Sequence, residues 1–221
     1  MSPFAEEIKK QDVVDQLTWD DSVNANEIYV NIKNDTVELR GTVQNFTAKM
    51  AAERDAYQVQ GVRNVENHLE IDFPPSITLP EDDEITGNIE NMLSWNSEIN
   101  AEDIEVHTKN NVVTLDGHVE SYWEKYLAGN YANSTRGVIE VVNNLQVKPA
   151  RKVLDENIER DIRNAFKRTF LIDEDKINVE VHNGIVHLSG SVPNFLTKIQ
   201  ANNIAIYTTG VKDVVDEITI S

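Results

Sequence analysis

The chain has 221 residues, 40% hydrophobic and 26% charged, a balance typical of a folded, water-facing protein. Its formal charge of −18 argues against a nucleic-acid binder, because affinity for phosphate backbones comes from clustered Lys and Arg. With no cysteine there are no disulfides, thiolate metal sites or cysteine nucleophiles, and no run approaches the roughly 18 apolar residues of a membrane helix.

Ser2-Pro3 followed by Glu6 and Glu7 reads as a helix start, with Ser as N-cap, Pro at the first helical position and acids against the macrodipole. Ile8, Val13, Val14 and Leu17 form its apolar stripe, which ends near Trp19. This start has neither the basic residues nor the apolar run of a secretory leader, so the expected location is cytoplasmic as written, and periplasmic if a leader has been removed. Next, Ile28-Tyr29-Val30-Asn31-Ile32 alternates as a half-buried strand should, Asn34-Asp35 turns, and Val37-Glu38-Leu39-Arg40-Gly41-Thr42-Val43 returns. A second helix opens at Asn45, with Phe46 on its packing face and Ala52 and Ala56 four apart to let it approach the sheet. Gly61-Val62 follows, and Val65, Asn67, Leu69 and Ile71 share one face of a third strand.

This series recurs twice. Gly117 and Gly190 stand 76 and a further 73 residues after Gly41, each ending the same strand pattern. Gly61, Gly137 and Gly210 all follow 20 residues later, each before a valine. The turns recur as Asn110-Asn111 and Asn183-Gly184, and the second helix as Ser121-Tyr122 with Ala128 and Ala132, then Asn194-Phe195 with Ala201 and Ala205. A fixed period of this length is an internal triplication. The expected fold is α+β: three tandem αββαβ units, residues 1–73, 82–148 and 149–221, each with two helices on one face of a three-stranded mixed sheet. Residues 74–81, holding Pro74, Pro75 and Pro80, form a stiff linker, whereas the junction at Pro149 is short, so the second and third units are expected to couple more tightly.

Leu-x-Gly-x-Val, a helix of fixed length, Gly-Val and then Val-x-Asn-x-Leu together resemble the BON (bacterial OsmY and nodulation) domain. The match runs through Gly41, Gly61 and Asn67, then Gly117, Gly137 and Asn143, then Gly190, Gly210 and Asp216, with Asp216 replacing the family's asparagine. The resemblance implies a non-enzymatic module that binds phospholipid or other envelope components, found in bacterial osmotic-stress proteins.

The residues add little chemistry to this. His68, His107, His118, His182 and His187 occupy non-equivalent positions and lack a metal-motif spacing, so no metal, cofactor or catalytic role is expected. Glu81-Asp82-Asp83-Glu84 and Asp173-Glu174-Asp175 lack the pattern of a calcium loop and read as solvated charges. Trp19 and Trp95 end the first helix in two units; interfacial anchoring is one reading, and a ring closing the small core is the expected one. Trp123 near the start of the second helix carries the same two readings. Asn67, Asn143 and Asp216 are expected to tie the third strand to a neighbouring loop, and Lys49, Lys125 and Lys198 to lie on a solvated face.

The third unit departs from the general acidity. Leu154, Ile158, Ile162, Phe166 and Phe170 form a stripe, while Arg160, Arg163 and Lys167, with Arg168, make a basic strip, countered by Glu156 and Glu159 at i−4. That strip is the candidate head-group site. The expected function is a bacterial stress-response adaptor that binds anionic phospholipid or an envelope-associated protein. The alternative is a soluble scaffold that binds protein or self-associates as a homo-oligomer without lipid.

Overall fold

The computed structural model describes residues 3–73 and 76–221. The expected Ser2 cap and the Pro74-Pro75 pair lie outside the described residues. The first repeat comprises α1 (Pro3–Trp19), β1 (Ile28–Lys33), β2 (Thr36–Val43), α2 (Phe46–Gln58) and β3 (Asn64–Ile71). The second comprises α3 (Asp82–Trp95), β4 (Ile104–Lys109), β5 (Val112–Val119), α4 (Tyr122–Ser134), β6 (Glu140–Asn143) and β7 (Gln146–Val147). The third comprises α5 (Asp155–Arg168), β8 (Ile177–His182), β9 (Ile185–Val192), α6 (Phe195–Ile206) and β10 (Asp213–Ile220). One 3-10 turn precedes each first strand, at Ala25–Glu27, Ala101–Asp103 and Glu174–Lys176.

Strand order, which periodicity alone leaves open, is sequential. In the first repeat β1 pairs antiparallel with β2 from Ile28 opposite Gly41 to Lys33 opposite Thr36, and β3 pairs parallel with the other edge of β2. The third repeat has the same arrangement around β9. In the second, the third strand breaks at Asn144-Leu145, and both halves, β6 and β7, pair parallel with β5. The hairpin turns are tight because both residues of each have positive φ: 51° and 64° at Asn34-Asp35 and at Asn110-Asn111, and 55° and 83° at Asn183-Gly184.

The inward residues of each sheet pack under its helices: Val13, Leu17, Leu39 and Leu69 in the first repeat, Ile85, Leu93, Leu115 and Leu145 in the second, Ile158, Phe166, Leu188 and Ile218 in the third. All six paired alanines of the second helices are fully buried, so a short side chain sets the helix–sheet distance. The expected stripes overreach at their ends. Ile8, Leu154 and Phe170 are exposed. A strict four-residue spacing drifts by about 40° per step around a helix of 3.6 residues per turn, and Leu154 and Phe170 lie outside α5 altogether.

The chain divides into two compact units, Met1–Pro80 with Arg136–Ile139, and Glu81–Thr135 with Glu140–Ser221. Within the second unit α4 reaches the third repeat. Tyr122, expected on its own helix's packing face, packs instead against the third repeat's core. Burial and a hydrogen bond to Asp213 push its hydroxyl up to about 12. Trp123 packs at a 39° tilt against Tyr207, the residue just after α6, at 4.5 Å between centroids, so its ring meets the third repeat and does not plug the core of its own.

Candidate functional site

The repeated glycines mark where backbone meets backbone. Gly41, Gly117 and Gly190 have φ of +116°, +114° and +127°, and a Cβ there would overlap the carbonyl oxygen of Glu27, Asp103 or Lys176, the last residue of the preceding 3-10 turn. Gly61, Gly137 and Gly210, at φ +82°, +93° and +93°, carry the chain from the second helix to the third strand. The asparagines tie that strand to the second helix, not to a loop as expected. Asn67 Nδ2 donates to the Lys49 carbonyl at 3.0 Å and Asn143 Nδ2 to the Lys125 carbonyl at 2.9 Å, while each Oδ1 accepts the amide two residues on. In the third repeat the donor comes from elsewhere. Asp216 accepts from Asn202, and the Lys198 ammonium lies 3.2 Å from its carboxylate and donates to the Ile218 carbonyl at 2.7 Å, so Lys198 is a packing partner, not a solvated charge.

Three acids form a device that the sequence reading missed. Asp82 accepts the amides of Asn110 and Asn111 at 2.8 and 3.0 Å, and Asp155 accepts those of Asn183 and Gly184 at 2.7 and 2.9 Å. Glu6 accepts from Asn34 at 3.5 Å. Each acid sits in the first turn of its repeat's first helix and clamps the hairpin turn. Asp82 is therefore not a solvated linker charge. A signal existed, since acid and turn are 28 residues apart in all three repeats.

The end of the first helix is where apolar surface meets water. Trp19 and Trp95 are 80% and 84% exposed, which corrects the reading of rings closing the core: each is the last helical residue, past the buried Leu17 or Leu93. The third repeat has Arg168 at that position and Phe170, fully exposed, two residues further on, followed by the half-exposed Leu171. The flanking charges differ. Asp20 and Asp21 follow Trp19, whereas Lys167 and Arg168 precede Phe170 and both are exposed.

The four basic residues of α5 do not act alike. Arg163 is half-buried, donates to Glu159 at 2.8 Å and to the Val179 carbonyl at 2.8 Å, and thereby ties α5 to β8. Arg160 faces Asp161 at 3.5 Å and not Glu156, and Lys167 lies 3.6 Å from Glu174. Strand pairing also brings Glu38, Glu66 and His68 together, their nearest ligand atoms within 4.8 Å of one another. Glu38 there is already compensated by Arg40 and Asn31, which hold its carboxyl below the usual range. His107, His118 and His182 likewise lie on outward positions of their strands beside Glu105, Asp103 and Glu180.

The BON domain family model matches residues 6–72, 81–149 and 154–221. A curated relative, Osmotically-inducible protein Y of Escherichia coli (strain K12), is 29% identical over 144 residues, covering 62% of this chain and 72% of that protein. Among solved structures, CdsD, a structural protein of the type III secretion system of Chlamydia trachomatis, is 12% identical over 96% of this chain and 91% of that chain, with a TM-score of 0.28. The periplasmic domain of the type III secretion inner membrane protein PrgH of S. typhimurium is 10% identical over 87% and 94%, with a TM-score of 0.22.

Proposed function

We propose, from the starting point that this chain belongs to the BON domain family in three tandem copies, that it is a non-enzymatic bacterial osmotic-stress protein whose third repeat docks on anionic phospholipid. The osmotic-stress part rests on the likeness to Osmotically-inducible protein Y. One observation carries the lipid part: Phe170 stands fully in water with Leu171 beside it, immediately after the exposed bases Lys167 and Arg168.

An aromatic ring and a leucine next to two cations fit the membrane interface, where rings sit at head-group depth and bases meet anionic lipid. Each base near an anionic leaflet contributes about 1 kcal/mol, and partial insertion of the ring about 2 kcal/mol, together roughly a thousandfold in partitioning. The net charge of −18 does not prevent this, because screening confines repulsion from distant acids to about 8 Å at physiological salt. Arg160, exposed on the same helix, adds to the field. Arg163 is committed to the Val179 carbonyl and contributes little.

The test is co-sedimentation of the full chain with phosphatidylglycerol-containing vesicles, comparing wild type with Phe170→Ser/Leu171→Ser and with Lys167→Glu/Arg168→Glu. Both pairs lie on the surface, so the fold should persist, and each variant is expected to bind at least about tenfold more weakly. Equal binding by all three, or none by wild type, overturns the reading. Self-association without lipid would then favour a soluble scaffold.

A further inference from the structure

Asp55 on α2 is the one buried side chain among the described residues whose polar atom lacks a hydrogen-bond partner: it is 2% exposed and its Oδ2 meets no donor. Its other oxygen accepts from Arg54 at 3.2 Å. The same Arg54 guanidinium nitrogen that meets Asp55 also meets a second carboxyl, that of Asp20, the first residue after α1, so the two acids sit side by side on one cation. Arg54 bridges the two, donating to Asp20 Oδ2 at 2.7 Å. Two facing carboxylates can bond only if a proton lies between them, and a buried oxygen without a donor is where that proton belongs.

The equivalent contact in the second repeat shows what the pair does. Positions 20 and 55 correspond to 96 and 131, where Asn96 Nδ2 donates to the Tyr131 hydroxyl at 2.7 Å and fastens the loop after α3 to α4. That bond joins a side-chain amide to a phenol hydroxyl and involves no carboxyl. The third repeat has Thr169 and Ile204 there, and Thr169 bonds back to the Ala165 carbonyl. Only in the first repeat is the fastening built from two carboxyls.

We propose that Asp20 and Asp55 form a proton-operated latch: with one shared proton it holds the loop after Trp19 onto α2, and when the proton leaves, the loop loosens. The charged groups acting on Asp55 are Asp20 and Arg54. On the neighbouring α1, Lys9 is bound to Asp35 at 2.6 Å and Asp15 to Gln11 at 2.7 Å, so neither is poised to replace the proton. Burial first, and then the bond with Asp20, raise the Asp55 carboxyl above its ordinary 3.8. Bonds from Ser22, side chain and backbone, lower that of Asp20. The sign follows. A group whose folded pKa is raised contributes stability that is complete below its unfolded pKa and lost as pH rises through the folded one. The latch therefore opens as pH rises through the raised pKa of Asp55, and Asp20, shifted the other way, gives up its own proton first. The latch stands independently of any lipid.

The experiment is hydrogen exchange of the full chain from a pH near the ordinary 3.8 of Asp55 up to about pH 8, corrected for intrinsic rates, on wild type and Asp55→Asn, whose amide can donate to Asp20 as the protonated carboxyl does. In wild type, protection of residues 20–24 should fall with rising pH by up to about tenfold per pH unit, the limit for one proton. In Asp55→Asn it should be flat, as should residues 96–100 in both proteins. Asp20→Asn, altering a less buried residue, provides a second arm if Asp55→Asn misfolds, and it should also flatten the profile. A flat wild-type profile, or the same pH dependence in wild type and both variants, overturns the latch.

Discussion

Replacing Gly190 with valine tests the central geometric feature of the repeat. Gly190 is at φ +127° and pairs with Ile177 across the first ladder position, while the Lys176 carbonyl occupies the space a Cβ would need. Forcing a β-branched residue into that region costs about 1–3 kcal/mol, and pushing the strand away from the turn costs about 1 kcal/mol more in ladder bonding. The expected loss is therefore about 3 kcal/mol, beyond the roughly 1 kcal/mol of a propensity change alone. For a domain of this size, with total stability of about 4–10 kcal/mol, that is a large fraction. The three tryptophans are Trp19, Trp95 and Trp123, none in the third repeat, but Trp123 packs against Tyr207, just after α6, and so reports on that repeat. Urea unfolding followed by tryptophan emission should show an earlier transition at Trp123. Exchange of amides in β8 and β9 should accelerate about a hundredfold, with β1 and β2 unchanged. Unaltered exchange in β8 and β9 would refute the reasoning, because neither the positive φ nor the carbonyl overlap could then be real constraints.

The opposite outcome is expected at Gly87, which lies within α3 with nothing within 4 Å of a built Cβ: Gly87→Ala should stabilise the second repeat by about 0.5–1 kcal/mol in thermal melts. Asp155→Ala removes both bonds that clamp the Asn183-Gly184 turn and should cost about 2 kcal/mol, read from the unfolding midpoint and from faster exchange of the Gly184 amide. Tyr122, with its hydroxyl pushed up to about 12, should give one late tyrosinate transition in an alkaline absorbance titration, absent in Tyr122→Phe. Because its folded pKa is raised, its contribution is intact below pH 10.0 and lost as pH climbs towards about 12; no late transition would mean that Tyr122 is not held by Asp213.

Much of the repeat was legible along the chain because its determinants are local. Alternation in Val37–Val43 depends on a two-residue period, the turn at Asn183-Gly184 on residues that tolerate positive φ, and the caps Asn45, Ser121 and Asn194 on side chains that accept an amide three residues on. Triplication strengthened each of these signals by repeating it in register. What remained hidden depends on distance through space. Asp82 looked like one acid in a linker until folding brought it to a turn 28 residues away. Trp95 had an apolar ring suited to a core, but two residues after Leu93 it is turned about 200° around the helix axis and points into water. Asp55 sits between alanine-lined turns with nothing in its neighbourhood to mark it, and its partner Asp20 is 35 residues upstream. The sequence by itself determined the secondary structure, the threefold repeat and the family, because dihedral preference and hydrophobic period act over a few residues. Only the tertiary structure decided which rings reach solvent, which acids clamp a turn, and which bases tie one element to another, because burial and charge pairing depend on neighbours that the chain brings together only by folding.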